Sequence, residues 1–570
     1  MRLLVFIIGV NIGIYTYRIN NRILLAGSII AFISIFSYLV RIHKRLKERI
    51  KYTSLLIEIN IMSIKRLEGK WDSFKDDGKD FKDDSHKYLL DLDIFGHKSL
   101  FQWINTASTF YGRHELKKIL SEVVGDRKDI EERQVTVDEL SRLLNWRQRF
   151  ITEGILVTNR IKDPEELIAW ANEVNESYRN PYIIGAVRLL PCITVTLIIL
   201  GFVMKTIPSY YPSLALFIQF LIIMLKGKER HDLFNLSEKY NKDLGTYYNM
   251  LRLIENHQFT SPYIDRVKNS IKNDKGQKAY KQIELLSSIV GSIANRRNSF
   301  YIIFNTIALW DLQILIKLEG WKQRSGRYLE DWLKAIGMIE SLASLAVIRH
   351  DNPDWVVPTI VNDGDALLEA KELGHPLISN NRVSNNLSID NNSKVLLITG
   401  SNMSGKSTLL RTAGINLVLA YAGAPVCARA FKASIMDIYT CMRITDNLSE
   451  NISSFYAELL RIKNIVKEAE SGKRVFFLLD EIFKGTNSLD RHTGASVLIN
   501  KLSHTNSIGM VSTHDLELSD LEKQNQNIVN YHFQEYYKED KIYFDYKLRP
   551  GSSTTGNALF LMKLAGIDVE

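Results

Sequence analysis

The sequence predicts a C-terminal α/β domain that follows an all-α region with two transmembrane helical hairpins. From about residue 355 onward, short β-rich runs alternate with helical ones, which is typical of an α/β domain. Earlier, apolar residues recur at helical spacing with few turn signals. Four uncharged apolar runs lie within this helical part. The predicted domains are a hairpin at 1–41, a helical lever-like region at 42–182, a hairpin at 183–227, a helical lever or core region at 228–352 and the α/β domain at 353–570.

The apolar runs cover residues 3–17, 23–40, 189–204 and 206–225, and only short links separate the members of each pair. The second run, at eighteen residues, is long enough for a minimal spanning helix. A signal peptide is the alternative for the first run, but no small-residue cleavage site precedes the second. Buried core helices are the alternative for the middle pair, although these runs lack the polar face of a soluble amphipathic helix. We therefore expect a four-helix membrane anchor.

Basic residues flank the anchor on one side. The run at 41–51 follows the second apolar segment, and the run at 226–230 follows the fourth. Because Lys and Arg accumulate in cytoplasmic segments, both ends are expected in the cytoplasm, although Arg18 and Arg22 in the first link oppose this orientation. The prediction is a multi-pass protein of the inner cell membrane with its α/β domain in the cytoplasm. The net charge of +9 is weak evidence for nucleic acid, since the 41–51 run has this other explanation.

A phosphate-binding loop is the strongest motif of the chain. The apolar run that begins at Val395 leads into Gly400-x-x-x-x-Gly405-Lys406-Ser407, and a helical pattern follows. Glycines let backbone N–H groups approach a polyphosphate, Lys406 can reach the β- and γ-phosphates, and the Ser407 hydroxyl can bind Mg²⁺. The helix that follows directs its positive N-terminal dipole at the anion. The motif predicts binding of a nucleoside triphosphate.

Two further strand ends carry the remaining chemistry of an ATPase. The run from Val475 ends in Asp480-Glu481, where Asp480 can hold Mg²⁺ next to Ser407 and Glu481 can polarise the attacking water. A third apolar run ends in His514, which can sense or orient the γ-phosphate. Each could be an ordinary polar strand end, but their order after the loop is that of ATP-binding-cassette ATPases. In that class a partner subunit completes the site, and the Leu-Ser-Gly-Gly-Gln motif of the transporters is absent here.

These motifs resemble those of the MutS family of DNA mismatch repair ATPases. The loop Thr399-Gly-Ser-Asn-Met-Ser-Gly-Lys-Ser-Thr408 is similar to the family's T-G-P-N-M-G-G-K-S-T, and the segments at 480–490 and 512–518 are similar to its D-E-I-G-R-G-T-S-T-Y-D and T-H-x-x-E-L. Gly374-His-Pro-Leu-Ile378 is similar to its R-H-P segment, and residues 93–117 resemble the start of its helical lever. The resemblance implies that Ser453 reaches the γ-phosphate bound by a partner subunit, where the family usually has G-R-S-T. By the loop motif and this resemblance, the expected ATP contacts are Gly400, Ser401, Asn402, Met403, Ser404, Gly405, Lys406, Ser407, Thr408 and Ser453.

The resemblance implies a homodimer that binds DNA, but the family's mismatch-reading wedge has no counterpart where it is expected. The family carries a Phe-x-Glu motif in an N-terminal domain, whereas the match here, Phe533-Gln-Glu535, follows the ATPase motifs. We therefore expect a membrane-anchored ATPase that couples ATP hydrolysis to DNA binding without specific mismatch reading. The alternative is a membrane-remodelling ATPase, or one with a protein or lipid client and no DNA substrate.

Overall fold

The chain folds as helices up to Asp351 and as two β-sheets with flanking helices beyond it, in the computed structural model. It forms two compact units, Met1–Ser63 and Ile64–Glu570. The structure describes residues 2–19, 21–123, 125–157, 163–174, 176–225, 227–292, 301–361, 364–379, 381–443, 454–538 and 541–552.

Apolar helices occupy the N-terminal unit. They are α1 (Arg2–Arg18) and α2 (Arg22–Leu67), and α2 continues without a break through residue 41. Helix α2 is long and apolar enough to cross a membrane, and none of its most apolar window is buried. Helix α1 is apolar but shorter. The first helix thus ends at Arg18 and the second begins at Arg22, where the sequence predicts the first short link.

The second unit begins with a mainly helical region. Before the second apolar pair, it contains α3 (Leu100–Ile104), α4 (Phe110–Ser121), α5 (Arg127–Arg142), α6 (Leu144–Val157) and α7 (Glu165–Asn172). The apolar pair consists of α8 (Pro181–Ile198), which continues as a π-helical turn to Val203, and α9 (Tyr210–Leu225). Of the two, the helix from Pro181 to Val203 is long and apolar enough to cross a membrane.

The helical region then continues to the start of the sheets. Its helices are α10 (Gly227–Asn256), α11 (Pro262–Ser270), α12 (Ala279–Gly291), α13 (Tyr301–Ala308), α14 (Trp310–Ser325) and α15 (Leu329–Asp351). Helix α15 is buried along most of its length and packs against α4 and α5. Trp321 and Trp332 are fully buried, so both serve helix packing.

The remaining elements alternate strands and helices, as the sequence predicts. They are β1 (Thr359–Val361), β2 (Leu368–Leu373), β3 (Asn385–Ile389), β4 (Val395–Thr399), α16 (Lys406–Ala422), β5 (Ala430–Ser434), β6 (Asp437–Cys441), α17 (Ser454–Glu470), β7 (Val475–Asp480), α18 (Ser488–Ser503), β8 (Ile508–Thr513), α19 (Leu521–Gln524), β9 (Ile528–Lys538) and β10 (Lys541–Pro550).

A six-stranded sheet with the order β10-β9-β4-β8-β7-β6 positions the site. Only the β9–β10 pair is antiparallel; the other neighbours run parallel. Strands β4 and β8 are buried throughout and β7 nearly so, which is why their sequences are continuous apolar runs. The carboxyl ends of parallel strands lie at one edge of a sheet, so the segments after β4, β7 and β8 meet there. A four-stranded sheet, β1-β5-β2-β3, accompanies it.

Candidate functional site

The loop between β4 and α16 forms a tight cradle. Gly400 and Gly405 have φ values of 149° and 106°, in a region that L side chains rarely adopt. A Cβ added to Gly400 would lie 2.9 Å from Ser404 Oγ, and one added to Gly405 would lie 3.2 Å from Tyr546 Cδ1. Both glycines are therefore required by the shape of the loop. Helix α16 begins at Lys406, and the first N–H groups of a helix have no intrahelical partners, so they are free to bind an anion.

The Lys406 ammonium group is held inside this cradle. Its Nζ donates to the carbonyl oxygens of Gly400 at 2.9 Å and Ser401 at 3.0 Å. Burial lowers the pKa of Lys406, while the nearby Glu481 and Asp480 carboxylates act in the opposite direction. The ammonium group thus lies on the concave side of the loop, where two carbonyl oxygens of the loop accept its hydrogen bonds.

Glu481 lies at the centre of a charged cluster after β7. Its backbone is left-handed, with φ of 50°, and its N–H donates to Ser512 O at 3.0 Å. Its Oε1 lies 2.6 Å from His514 Nε2 and 3.9 Å from Lys406 Nζ, and its Oε2 lies 2.7 Å from Lys484 Nζ. The hydrogen bond from His514, with a further one from Lys484, lowers the pKa of Glu481 to about 2. The side chain is therefore a carboxylate at neutral pH.

His514 joins this carboxylate to the phosphate loop. Its Nε2 lies 2.8 Å from Asn402 Oδ1 and 3.4 Å from Lys406 Nζ, in addition to its contact with Glu481. Because two oxygen acceptors face Nε2, the network assigns the proton to that nitrogen. The structure thus brings together Asn402, Lys406, Glu481 and His514, all of which the sequence predicts.

The predicted metal ligands lie on either side of the same edge. Ser407 lines the cavity above the loop. Asp480 ends β7, where it accepts a hydrogen bond from the Ser512 hydroxyl, and it is not among the described residues that line the cavity. Its charge nevertheless acts on Lys406, so it is close to the loop. A hydroxyl and a carboxylate are ligands that Mg²⁺ accepts, and this donor set fits the ion.

The remaining loop residues differ in what their side chains contact. Ser401 Oγ donates to Glu535 Oε2 at 3.1 Å. Ser404 is buried, and its Oγ has no hydrogen-bond partner among the described residues. Met403 is 85% exposed at a positive φ of 67°, and Thr408 lines the cavity. Ser453 lies outside the described residues.

The sequence analysis missed the wall that faces the loop. A cavity of about 410 Å³ lies between them. The wall includes Leu373, His375, Ile378, Arg382, Val383 and Tyr546. Tyr546 is held in place through Asn385, whose Nδ2 donates to Tyr546 O at 3.0 Å. Of this wall, the His-Pro segment at 375–376 was the available sequence signal.

His375 is a neutral part of this wall. Burial, together with the nearby Arg411 charge, lowers the pKa of His375 to about 4. Its imidazole therefore carries no charge at neutral pH and adds no repulsion toward the Lys406 ammonium group. It contributes shape and a polar edge to the cavity.

A second cluster of metal-ligand type lies beside His514. The ligand atoms of His492, Asp515 and Glu517 are within 4.8 Å of one another. The contact between His492 Nδ1 and Asp515 Oδ2, at 2.9 Å, accounts for the approach of the first two. The Glu517 side chain is largely exposed, so we assign no metal to this cluster.

The region of the chain that is similar to known proteins includes the loop between β4 and α16 and the segments after β7 and β8. Residues 396–569 match the family MutS domain V. The chain is 34% identical to the DNA mismatch repair protein MutS of Persephonella marina over 237 residues, and this matched region is 41% of the chain. It is 32% identical over 255 residues, or 43% of this chain, to that of Carboxydothermus hydrogenoformans. The chain spans only 27% and 30% of the length of these two relatives.

Proposed function

Because the chain is a MutS-family protein through its C-terminal part, we propose that it binds and hydrolyses ATP at the loop between β4 and α16. The observation that carries this proposal is the convergence of Lys406, Glu481 and His514 on one glycine-shaped cradle. In the proposed complex the Lys406 ammonium group leaves the loop carbonyl oxygens for the β- and γ-phosphates. The cavity wall with Tyr546 and Arg382 receives the nucleoside.

Each charged residue then has a separate task in hydrolysis. Glu481, a carboxylate at neutral pH, accepts a hydrogen bond from the attacking water and orients it. His514 donates from Nε2 toward the γ-phosphate, the direction in which it now faces Asn402. Ser407 and Asp480 would hold Mg²⁺, which neutralises phosphate charge when bound. The site belongs, in this proposal, to the ATP-binding-cassette class.

Two copies of the chain are proposed to close over the nucleotide. In this class the second subunit supplies a group to the γ-phosphate, and the family resemblance implies that this group is Ser453. ATP binding would join the subunits and hydrolysis would release them. Since α16 packs against α4 and α5 of the helical region, movement of the ATPase part would be carried into that region. DNA is the proposed partner of that region, bound through phosphates without specific mismatch reading.

Membrane anchoring is the last part of the proposal. Apolar side chains of α1, α2, α8 and α9 are exposed along much of their length, which favours contact with lipid over contact with water. Helices α2 and α8 satisfy the length requirement for a span. With the basic runs at 41–51 and 226–230 on the cytoplasmic side, the protein is proposed to be a multi-pass inner-membrane protein.

Replacing Glu481 by Gln tests the ATPase proposal. We expect ATP binding to persist and phosphate release to fall by about 100-fold, because a neutral amide polarises the attacking water less than a carboxylate does. A matched control is Glu470→Gln, which changes a carboxylate paired with Lys501 on the surface. Unchanged turnover in Glu481→Gln would remove Glu481 from its proposed role. Dimer formation is measured in the same variant by light scattering with ATP.

Filter binding of the detergent-solubilised protein tests the DNA proposal. Homoduplex, mismatched and branched DNA are compared across a salt series, with and without ATP. We expect ATP-modulated retention with a steep salt dependence, because phosphate contacts release counterions. Absence of retention on every DNA would favour the alternative function, a membrane-remodelling ATPase or one with a protein or lipid client.

A further inference from the structure

Helix α13 carries an exposed apolar face within the second unit. Ile302, Ile303 and Phe304 are 67%, 59% and 51% exposed. Residues 301–308 contain no charged side chain. Three consecutive exposed apolar residues are unfavourable in water, because each leaves apolar surface hydrated. The face therefore needs an apolar environment.

The neighbours of α13 indicate which environment that is. Helix α13 packs against both α8 and α9. These two helices expose their own large apolar residues, among them Phe202 and Phe217. The α13 face thus continues the apolar surface of the helices that are proposed to lie in the membrane. Helix α13 has no charged residue that could form an ion pair with a protein partner. Its apolar face therefore fits lipid acyl chains.

The break after α13 is built to exclude unsatisfied polar groups. Leu309 is left-handed, with φ of 48°, and the segment from Trp310 turns by 66° from α13. Asp311 N donates to Asn305 Oδ1 at 2.9 Å, and Asn305 Nδ2 donates to Asp311 Oδ2 at 2.8 Å. Gln313 Nε2 donates to the Ala308 carbonyl at 2.7 Å. Backbone groups freed by a helix break must be bonded within the protein when they lie at membrane depth, and these side chains do so.

We propose that α13 is a re-entrant membrane helix that inserts its Ile302–Phe304 face among lipid acyl chains beside α8 and α9. At about 1.5 Å per residue its eight residues extend about 12 Å, less than half of a hydrocarbon core of about 30 Å, so it enters one leaflet only. This inference rests on the proposed membrane anchoring. It adds a bilayer contact to the helical region that continues through α14 and α15 to the ATPase part.

Lipid quenching of site-directed fluorophores tests the insertion. The background is the full chain with Cys192→Ser, because Cys192 is exposed and the other cysteines are buried. Ile303→Cys, Phe217→Cys on α9 and Val497→Cys on α18 are each labelled with bimane and reconstituted into phosphatidylcholine vesicles. Val497 is exposed like Phe217 but lies in the ATPase part, so it is the matched control. Each variant is first required to match the background in ATP turnover, since none of the three positions lines the ATP cavity.

Acyl-chain nitroxide lipid is expected to reduce fluorescence about twofold at positions 217 and 303, where a label lies in the hydrocarbon core, and not at 497. Quenching at 217 without quenching at 303 would overturn the re-entrant helix and leave the anchor intact. Absence of quenching at both would overturn the anchor and the inference together. Disulfide cross-linking between two Ile303→Cys chains, without quenching, would also overturn the inference, because a second copy would then cover α13.

Discussion

Phe483 offers a sharp test of how the segment after β7 is held. Its backbone is left-handed, with φ of 62°, yet its side chain is buried in the core beneath α17 and α18. Its N–H donates to Glu458 Oε1 at 2.5 Å. The family motif has Gly at this position, which would adopt that φ without strain. In this chain we infer that packing of the ring outweighs the backbone strain.

Two substitutions separate the two effects. Phe483→Ala keeps the strain and removes the ring, so it should cost about 3–5 kcal/mol, the range for a buried Phe. Phe483→Gly also removes the ring, but it relieves the backbone strain of a left-handed non-glycine residue, which is about 1–2 kcal/mol. Glycine loses about 0.5–1 kcal/mol more in chain entropy. We therefore expect Gly to be less destabilising than Ala by about 0.5–1 kcal/mol.

Hydrogen exchange of the β7 amides is the assay. A loss of about 3 kcal/mol corresponds to roughly 100-fold faster exchange, since each 1.4 kcal/mol is a factor of ten. Tyr543→Ala, which removes an exposed ring from β10, is the control and should leave β7 exchange unchanged. Wild-type exchange in Phe483→Ala would refute the packing argument. Faster exchange in Phe483→Gly than in Phe483→Ala would refute the strain argument.

Three further predictions concern polar groups near the site. The low pKa of Glu481 stabilises the fold above the ordinary pKa of 4.5, and this contribution is lost as pH falls through about 2. The stability difference between wild type and Glu481→Gln, measured by urea unfolding, should therefore shrink over that interval; a constant difference would contradict it. Ser404→Ala should stabilise the fold by about 1 kcal/mol and so raise the thermal midpoint, because it removes a buried hydroxyl without a partner among the described residues. A lower midpoint would show that the hydroxyl is bonded. The buried Asp91 carboxylate accepts hydrogen bonds from the N–H groups of Met442 and Arg443, one on each oxygen. Asp91→Asn should therefore cost about 1–3 kcal/mol in urea unfolding, because an amide cannot replace both acceptor oxygens; an unchanged midpoint would show that the carboxylate is dispensable.

The sequence was sufficient for the residues that converge on the phosphate loop. Lys406, Glu481 and His514 each follow an apolar run within a few residues, so their place in space depends only on where parallel strands end. That rule is local and general. The structure has the expected α/β order and brings the three side chains close together. The apolar helices were also visible, because length and composition alone define them.

The opposite wall of the cavity could not be predicted in the same way. Tyr546 comes from β10 and Arg382 from the segment before β3, and neither follows a recognisable strand-end motif. Their approach depends on the antiparallel register of β9 and β10 and on the Asn385–Tyr546 hydrogen bond. Likewise, the position of Phe304 in a helical pattern does not show whether its side chain packs against another helix or is exposed. Long-range register and side-chain exposure are properties of the folded chain.

Two aspartates give the proposed ATPase a direct connection to the helical region. Asp93 pairs with Arg411 of the phosphate-loop helix at 3.5 Å and with Arg443 after β6 at 2.5 Å. Asp91, which is buried, accepts hydrogen bonds from the N–H groups of Met442 and Arg443 at 3.0 and 2.9 Å. The segment between Leu90 and Ile94 is thereby fixed to both α16 and the end of β6. Any shift of α16 that accompanies nucleotide binding must either move this segment or break the partly exposed Asp93–Arg411 ion pair. Movement at the phosphate loop is therefore expected to pass into the helical region through Asp93.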